Sequence, residues 1–342
     1  MRTPRVALVT GVSRFLGGAT ARALAQDARI ERVIGVDTTA PHPHFAASHN
    51  RAEFVRADIS SPLIAKVIDS AGVDTVIHTD INASASASGG RASMKEANVM
   101  GTMRLLAACQ HADGVRRLIV KSSGAVYGAS PRDPALFTEQ MQPRYLSGGY
   151  GKDAQDVEGY VRGFMRRRPD VLTTVLRFAN FLGPQVDSVL APYFSLRAVP
   201  TLIGFDPRMQ LVHEQDGVAA LVHCSRLDDD AASGVFNIAP SDVMYLSQAV
   251  LRAGRVPLPV VPGPAASAAS RLVRLLGYSD FTPELIRYLR YGRAMDTSMA
   301  TEHLGFTPGY STLETFDDYL VGRGISPTLP VRAIRGALRG RR

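Results

Sequence analysis

Cysteine is almost missing from this 342-residue chain, which has only Cys109 and Cys224, far apart in sequence. That excludes a disulfide framework or a zinc knuckle, and makes the reducing cytoplasm the expected location. No uninterrupted apolar run approaches the roughly 18 residues a spanning helix requires, so no membrane span is expected. The first residues are basic and then apolar, superficially like a secretion signal. Gly11, Ser13 and Arg14 interrupt the stretch, which reads better as a strand and a turn. Lysine is scarce as well: four of the 39 basic residues are Lys66, Lys95, Lys121 and Lys152, and the formal net charge of +8 rests on arginine. Part of that charge lies in a basic tail, 325–342, with Arg332, Arg335, Arg339, Arg341 and Arg342. No basic face interleaved with aromatics accompanies it, so nucleic acid is not the expected partner. Solvent and anionic small molecules are the expected company of the arginines.

What is present is a strand, a glycine-rich turn and a helix at the very start. Val6-Ala7-Leu8-Val9-Thr10 has the apolar character of a buried parallel strand. Gly11 supplies a tight turn, and Gly17 lets the helix pack closely on the strand. Phe15 and Leu16 open that helix, whose free N–H groups suit a pyrophosphate. Asp37 ends a second strand, Arg32 to Asp37. A carboxylate there accepts hydrogen bonds from an adenosine ribose and repels a 2′-phosphate, which points to NAD rather than NADP.

Apolar segments near 5–10, 32–37, 53–57, 74–78, 116–123 and 171–178 alternate with helical patterns near 16–27, 61–71, 92–112 and 149–167. Such alternation predicts an α/β protein with a Rossmann-type, doubly wound parallel sheet. The Pro-rich stretch Arg255 to Pro264 breaks the pattern; helical segments near 265–276 and 282–290 follow, then a less regular run from Asp296 to Leu320. The expected division is a dinucleotide-binding domain at 1–182, with 210–240 returning to it, and a smaller C-terminal substrate lobe at 183–209 and 241–320.

The turn resembles that of the extended short-chain dehydrogenase/reductase family, T-G-x-x-G-F-[LI]-G, with Arg14 in place of the middle glycine. The resemblance continues to about residue 320 and is nearest to the UDP-glucose 4-epimerase-like branch. By it, Asp58-Ile59 meets the adenine end, Val76-Ile77-His78 is the fourth-strand element beside the cofactor, and Asn98 ties two elements together. Arg14 would place a guanidinium on the pyrophosphate or ribose in place of the lost glycine. Arg177-Phe178-Ala179-Asn180-Phe181-Leu182-Gly183-Pro184 matches R-x-x-N-x-x-G-P, whose Asn faces substrate. Leu211-Val212-His213-Glu214-Gln215-Asp216 matches a later element in which an arginine usually grips the substrate diphosphate. Here Met209 stands in that place, with Arg208 beside it, and Arg290 and Arg293 are the other candidate contacts.

The resemblance also implies a tyrosine as acid/base, a lysine four residues on and a serine that holds the substrate hydroxyl. Ser123 in Ser122-Ser123-Gly124-Ala125-Val126-Tyr127-Gly128 takes the serine role, and Tyr150 with Glu158 matches Y-G-x-S-K-x-x-x-E. The lysine position is Ala154. Lys152 does not substitute, because two residues on lies about 200° around a helix whereas four residues on lies about 40° away. Lys121, two residues before Ser123 and so on the same strand face, is the alternative cation and a candidate cofactor contact. His42, His44 and His49 read as a polar loop, and no metal site is expected. Three readings remain open: a sugar-nucleotide epimerase or dehydratase, a dehydrogenase of a steroid-like or other alcohol, and a non-catalytic NAD-binding protein. A small molecule, foremost a nucleotide sugar, is the expected partner, and assembly as a homodimer stays open.

Overall fold

A computed structural model describes residues 3–46, 51–85, 88–144, 148–228, 230–261 and 282–328. Its strands, in chain order, are β1 (Val6–Thr10), β2 (Arg32–Asp37), β3 (Ala52–Arg56), β4 (Thr75–His78), β5 (Arg117–Ser123) and β6 (Leu172–Phe178), then the short β7 (Asn180–Leu182), β8 (Ala198–Leu202), β9 (Arg208–Met209) and β10 (Leu211–His213), then β11 (Gly234–Ile238), β12 (Met244–Tyr245) and β13 (Val256–Val260). Seven of them form one sheet in the order β11-β6-β5-β4-β1-β2-β3, every pair parallel.

Both faces of this sheet are apolar because helices cover both. Ala7, Val9, Ile77 and Ile119 turn to one side, where they join Ala21 and Leu24 of the Phe15–Ala25 helix and Leu221 of the Glu214–Cys224 helix. Leu8, Val76, Leu118 and Val120 turn to the other, against Ile68, Leu105 and Val161 of three further helices. Alternation of side chains along each strand produces the two cores. A third core, built on Leu182, Tyr193, Phe194, Met209, Phe316 and Tyr319, belongs to the C-terminal part. The strand order reverses between β1 and β4, and the crevice at the carboxyl ends of those strands is where such sheets bind ligands.

Two expectations need correction. The helix expected over 92–112 is two helices, Arg91–Lys95 and Thr102–His111, joined by a π turn at Glu96–Gly101. That turn carries the buried Asn98, whose side chain is committed to the backbone of Asn82 rather than to the helix surface. The Pro-rich stretch does not end regular structure: Val256–Val260 is a strand paired in parallel with β8. Pro257 and Pro259 are tolerated because alternate backbone sites of an exposed outer strand need no donor. The helix expected near 282–290 is present as Pro283–Tyr291, with the Thr282 side chain accepting from the Leu285 N–H at its start. The one expected near 265–276 and the tail beyond residue 328 lie outside the described residues.

Candidate functional site

The turn after β1 is built as a dinucleotide cradle. Gly11 has φ +75°, a left-handed conformation that other residues rarely adopt. A Cβ on Gly17 would come within 2.3 Å of the Gly11 carbonyl oxygen, so only glycine lets the helix start so close to the turn. Asp37 fixes the far side: its carboxylate accepts from the Ser13 N–H at 2.9 Å and the Thr38 N–H at 2.7 Å. No acidic side chain occupies the first turn of the Phe15–Ala25 helix, so its free N–H groups are left for an anion. These features fit a dinucleotide.

From this turn a cavity of about 530 Å³ runs across the carboxyl ends of the sheet. It is lined by Arg14, Phe15, Leu16 and Gly17 of the turn and helix start, by Lys121, Ser123 and Tyr150, and by Asn180, Tyr288 and Arg293. Ser123 ends β5 and caps the short turn Gly124–Tyr127, accepting from the Ala125 N–H at 3.1 Å. Tyr150 opens the Gly149–Arg167 helix, and its phenol has the Ser123 hydroxyl as a hydrogen-bonding neighbour. Burial pushes the Tyr150 phenol well above its usual range. Ser123 and Arg293 pull it down, while the carboxylates of Glu284 and Asp153 push it further up.

Ala154, where the resemblance wants a lysine, is wholly buried. Lys121 does reach the cavity wall and donates from Nζ to the Ile81 carbonyl at 2.7 Å. Burial and the nearby Arg14 hold its ammonium down to about 8, against the pull of Asp80 and Asp187. Arg14 also lines the cavity, and its guanidinium spans to Asp187 at 3.0 Å. The cation that replaces the family glycine thus ties the dinucleotide turn to the loop after β7. That loop is itself shaped by Glu214, whose Oε2 accepts from the N–H groups of Gln185 and Val186 at 2.9 and 2.7 Å.

Of the expected residues, Gly11, Asp37, Asp58, Ile59, His78, Asn98 and Arg208 do not line this cavity. His78 is fully buried, with Nδ1 hydrogen-bonded to Thr10 at 2.7 Å and Nε2 to Thr102 at 2.8 Å. Burial lowers its pKa to about 3, so it is a neutral tie between strand and helix and has no free nitrogen for a cofactor. Asn98 acts one step behind the wall: it exchanges two 2.8 Å hydrogen bonds with the backbone of Asn82, and Asn82 lines the cavity. Arg208 points away, donating to the Ala135 carbonyl at 3.0 Å, whereas Arg293 lies on the wall and donates to the Gly128 carbonyl at 2.9 Å. Asp58 is exposed and accepts from the Ser60 N–H at 2.7 Å, and Ile59 packs beneath the π turn at Gly101.

Behind Ser123 lies a buried polar network made of the remaining motif residues. Arg177 grips Glu158 at 2.9 and 2.6 Å and donates to the Tyr127 hydroxyl at 2.8 Å. Ser122 donates to Glu158 at 2.6 Å, and Tyr127 donates to Asn237 at 2.7 Å. Sequence reading missed Glu284 and Asp187. In the sequence Glu284 is an acid two residues after Thr282 in a helical pattern, and nothing local says that it faces another helix.

Residues 7–239 match the model of the NAD dependent epimerase/dehydratase family. An uncharacterized protein of Mycobacterium tuberculosis is 48% identical over 333 residues, covering 97% of this chain and 88% of its own length. The UDP-glucose 4-epimerase of Mycolicibacterium smegmatis is 29% identical over 186 residues, 53% of this chain and 57% of that protein. Among solved structures, UDP-glucuronic acid 4-epimerase of Bacillus cereus, in complex with UDP-glucuronic acid and NAD, superposes with a TM-score of 0.71 at 18% identity, covering 93% of this chain and 99% of that one. The dTDP-glucose 4,6-dehydratase of Bacillus anthracis, in complex with NAD, gives 0.68 at 17% identity and covers 93% and 96%. At such identities the structural likeness speaks for the fold alone. No helix among the described residues is long and apolar enough to cross a membrane. With the family model matched over most of the chain, the protein belongs to the NAD-dependent epimerase/dehydratase family.

Proposed function

We propose that this chain is a sugar-nucleotide epimerase or dehydratase, most like UDP-glucose 4-epimerase, and that it works on NAD held at the Gly11–Gly17 turn. The observation that carries the reading is that Ser123 and Tyr150 line one cavity together with Arg14, Phe15, Leu16 and Gly17 of that turn. Bound NAD would supply the acceptor for a hydride from a sugar carbon and the donor for its return. Ser123 holds the substrate oxygen, and Tyr150 in its phenolate form, the minor form at neutral pH, takes the proton from it and gives it back. Asp37 and Asp58 serve the adenosine end, while Arg14 and Lys121 serve the phosphates and the adjoining ribose. Asn180 and Arg293 serve the substrate end, Arg293 as the cation for a diphosphate that Met209 does not provide. Residues 1–182 with 210–240 form the cofactor part in this reading, and 183–209 with 241–320 the substrate part.

The test incubates the purified protein with NAD and UDP-glucose, UDP-glucuronic acid or dTDP-glucose, and follows the sugar by NMR. Inversion at a sugar carbon or loss of water supports the proposal; accumulation of NADH with an alcohol marks a simple dehydrogenase instead. The buried Ala154 favours one second reading, a protein that binds NAD without turnover. Tight NAD binding with no conversion in the parent or in Ala154→Lys would favour it.

Two further outcomes bear on the cofactor. Asp37→Ala is expected to narrow the preference for NAD over NADP in calorimetric titrations, and equal preference in the parent would show that Arg14 outweighs Asp37. Burial and the nearby Arg14 push the Lys121 ammonium down to about 8, within reach of a pH titration. If it holds the cofactor, affinity for the anionic NAD falls as pH rises past that value, by at most about tenfold per unit. Lys121→Met is expected to lose both the affinity and the pH step; a step that survives the substitution belongs to another group.

A further inference from the structure

Glu284 comes from the C-terminal part of the chain, yet both of its carboxylate oxygens are committed to the start of the helix that bears Tyr150. Oε2 accepts from the Tyr150 N–H at 2.9 Å and Oε1 from the Gly151 N–H at 2.8 Å. The fit is close. A Cβ on Gly149 would stand 2.3 Å from Oε2, and one on Gly151 would stand 2.6 Å from Oε1 and 2.5 Å from the Ala125 carbonyl oxygen. The two glycines of Gly149-Tyr150-Gly151 therefore make room for this carboxylate. Glu284 also lines the cavity.

We propose that Glu284 is a positioning residue for Tyr150: it orients the helix start through two hydrogen bonds and places a negative charge at the helix start that bears the phenol, at a site whose family lysine is alanine. This rests on the reading of Tyr150 as the proton-transfer group. The polar and charged groups that act on the phenol include Ser123 from β5, Arg293 from the segment before Ala300, Asp153 from its own helix and Glu284. Asp153 is largely neutralised by a two-pronged pair with Arg91, at 2.7 Å on each oxygen. Glu284 spends its oxygens on N–H groups that carry no full charge; burial pushes its carboxyl up while those N–H groups, Arg293 and Arg91 pull it down, and its ionised form acts on Tyr150. A neighbouring anion disfavours the phenolate, which is the opposite of what a lysine at Ala154 would do. The protonation of the site is thereby governed from the C-terminal part of the chain.

The test reads Tyr150 directly, without turnover. Full-length protein carrying ring-labelled tyrosine is titrated by carbon-13 NMR, and Tyr150→Phe identifies the signal. In the parent the Tyr150 signal is expected to remain protonated at about pH 10, where an ordinary tyrosine is half ionised. Glu284→Gln removes the charge and is expected to lower the midpoint by about one unit, a tenfold loss of proton affinity. Glu284→Asp withdraws the charge by one methylene and is expected to fall between the two. If Glu284→Gln does not fold, the comparison of parent with Glu284→Asp decides alone. An unchanged midpoint in the folded variants overturns the proposal and leaves Glu284 a purely structural cap. A shifted midpoint in a protein that converts no nucleotide sugar would sustain the proposal while the enzymatic reading fails.

Discussion

Tyr150→Phe is expected to remove nearly all turnover, a loss of about 10²–10⁴-fold in kcat, the usual contribution of a positioned acid/base group. The substitution deletes one hydroxyl at a position that opens a helix whose start is held through the backbone by Glu284. The fold and the affinity for NAD are therefore expected to survive, and the phenol alone is tested. Equal kcat in parent and variant would reduce Tyr150 to packing. The companion substitution is Ala154→Lys, which restores a cation one helical turn from Tyr150. A positive charge lowers a neighbouring phenol, and each unit corresponds to about 1.4 kcal/mol between the protonation states. The alkaline rise of the rate is expected to move to lower pH and the rate at neutral pH to increase. If the wholly buried position rejects the lysine, the variant will melt earlier than the parent.

The largest effect on stability is expected from Arg177→Met. Arg177 and Glu158 are both nearly inaccessible, with side-chain exposures of 6% and 3%, and their pair is 2.6 Å apart. Removing the guanidinium leaves a carboxylate in the core with only the Ser122 hydroxyl at 2.6 Å and the half-exposed Arg162 at 3.6 Å, strands the Glu139 carbonyl, and takes a donor from the Tyr127 hydroxyl, which keeps Asn237. Breaking one partner of a buried pair costs about 3–5 kcal/mol, a large share of a domain's net stability. Denaturant unfolding measures it directly. Adding Glu158→Leu to Arg177→Met is expected to recover part of the loss, since the penalty lies in the stranded charge rather than in the missing attraction. A single variant as stable as the parent would mean that water reaches Glu158 and that the network is not closed.

The reading of the chain's first third came from local chemistry. An apolar run followed by Gly11 and Gly17 specifies strand, turn and helix within a few residues, because each glycine answers a steric demand of its immediate neighbours. The same locality explains why Ser123 and Tyr150 were recognisable, and why the absence of a lysine was visible as Ala154. It also explains what stayed illegible. Asn98 ties the π turn to the backbone of Asn82, in keeping with its expected role. His78 occupies a motif position, but which way a side chain turns at the end of a strand depends on what packs over it, and Thr102 took it inward. Arg208 and Arg293 looked equivalent in sequence; the course of the chain after Tyr291 put one on the cavity wall and the other against Ala135.

The sequence by itself determined the doubly wound parallel sheet, the glycine turn, the serine and tyrosine, and the loss of the lysine, since hydrophobic period and short motifs act over a turn or a strand. The tertiary structure alone decided which charges surround Tyr150. Glu284 lies 134 residues along the chain from Tyr150, and Asp187 lies 173 residues from Arg14. Contacts across such separations arise only when the C-terminal part packs over the open ends of the strands, and no local pattern encodes the angle at which it does so.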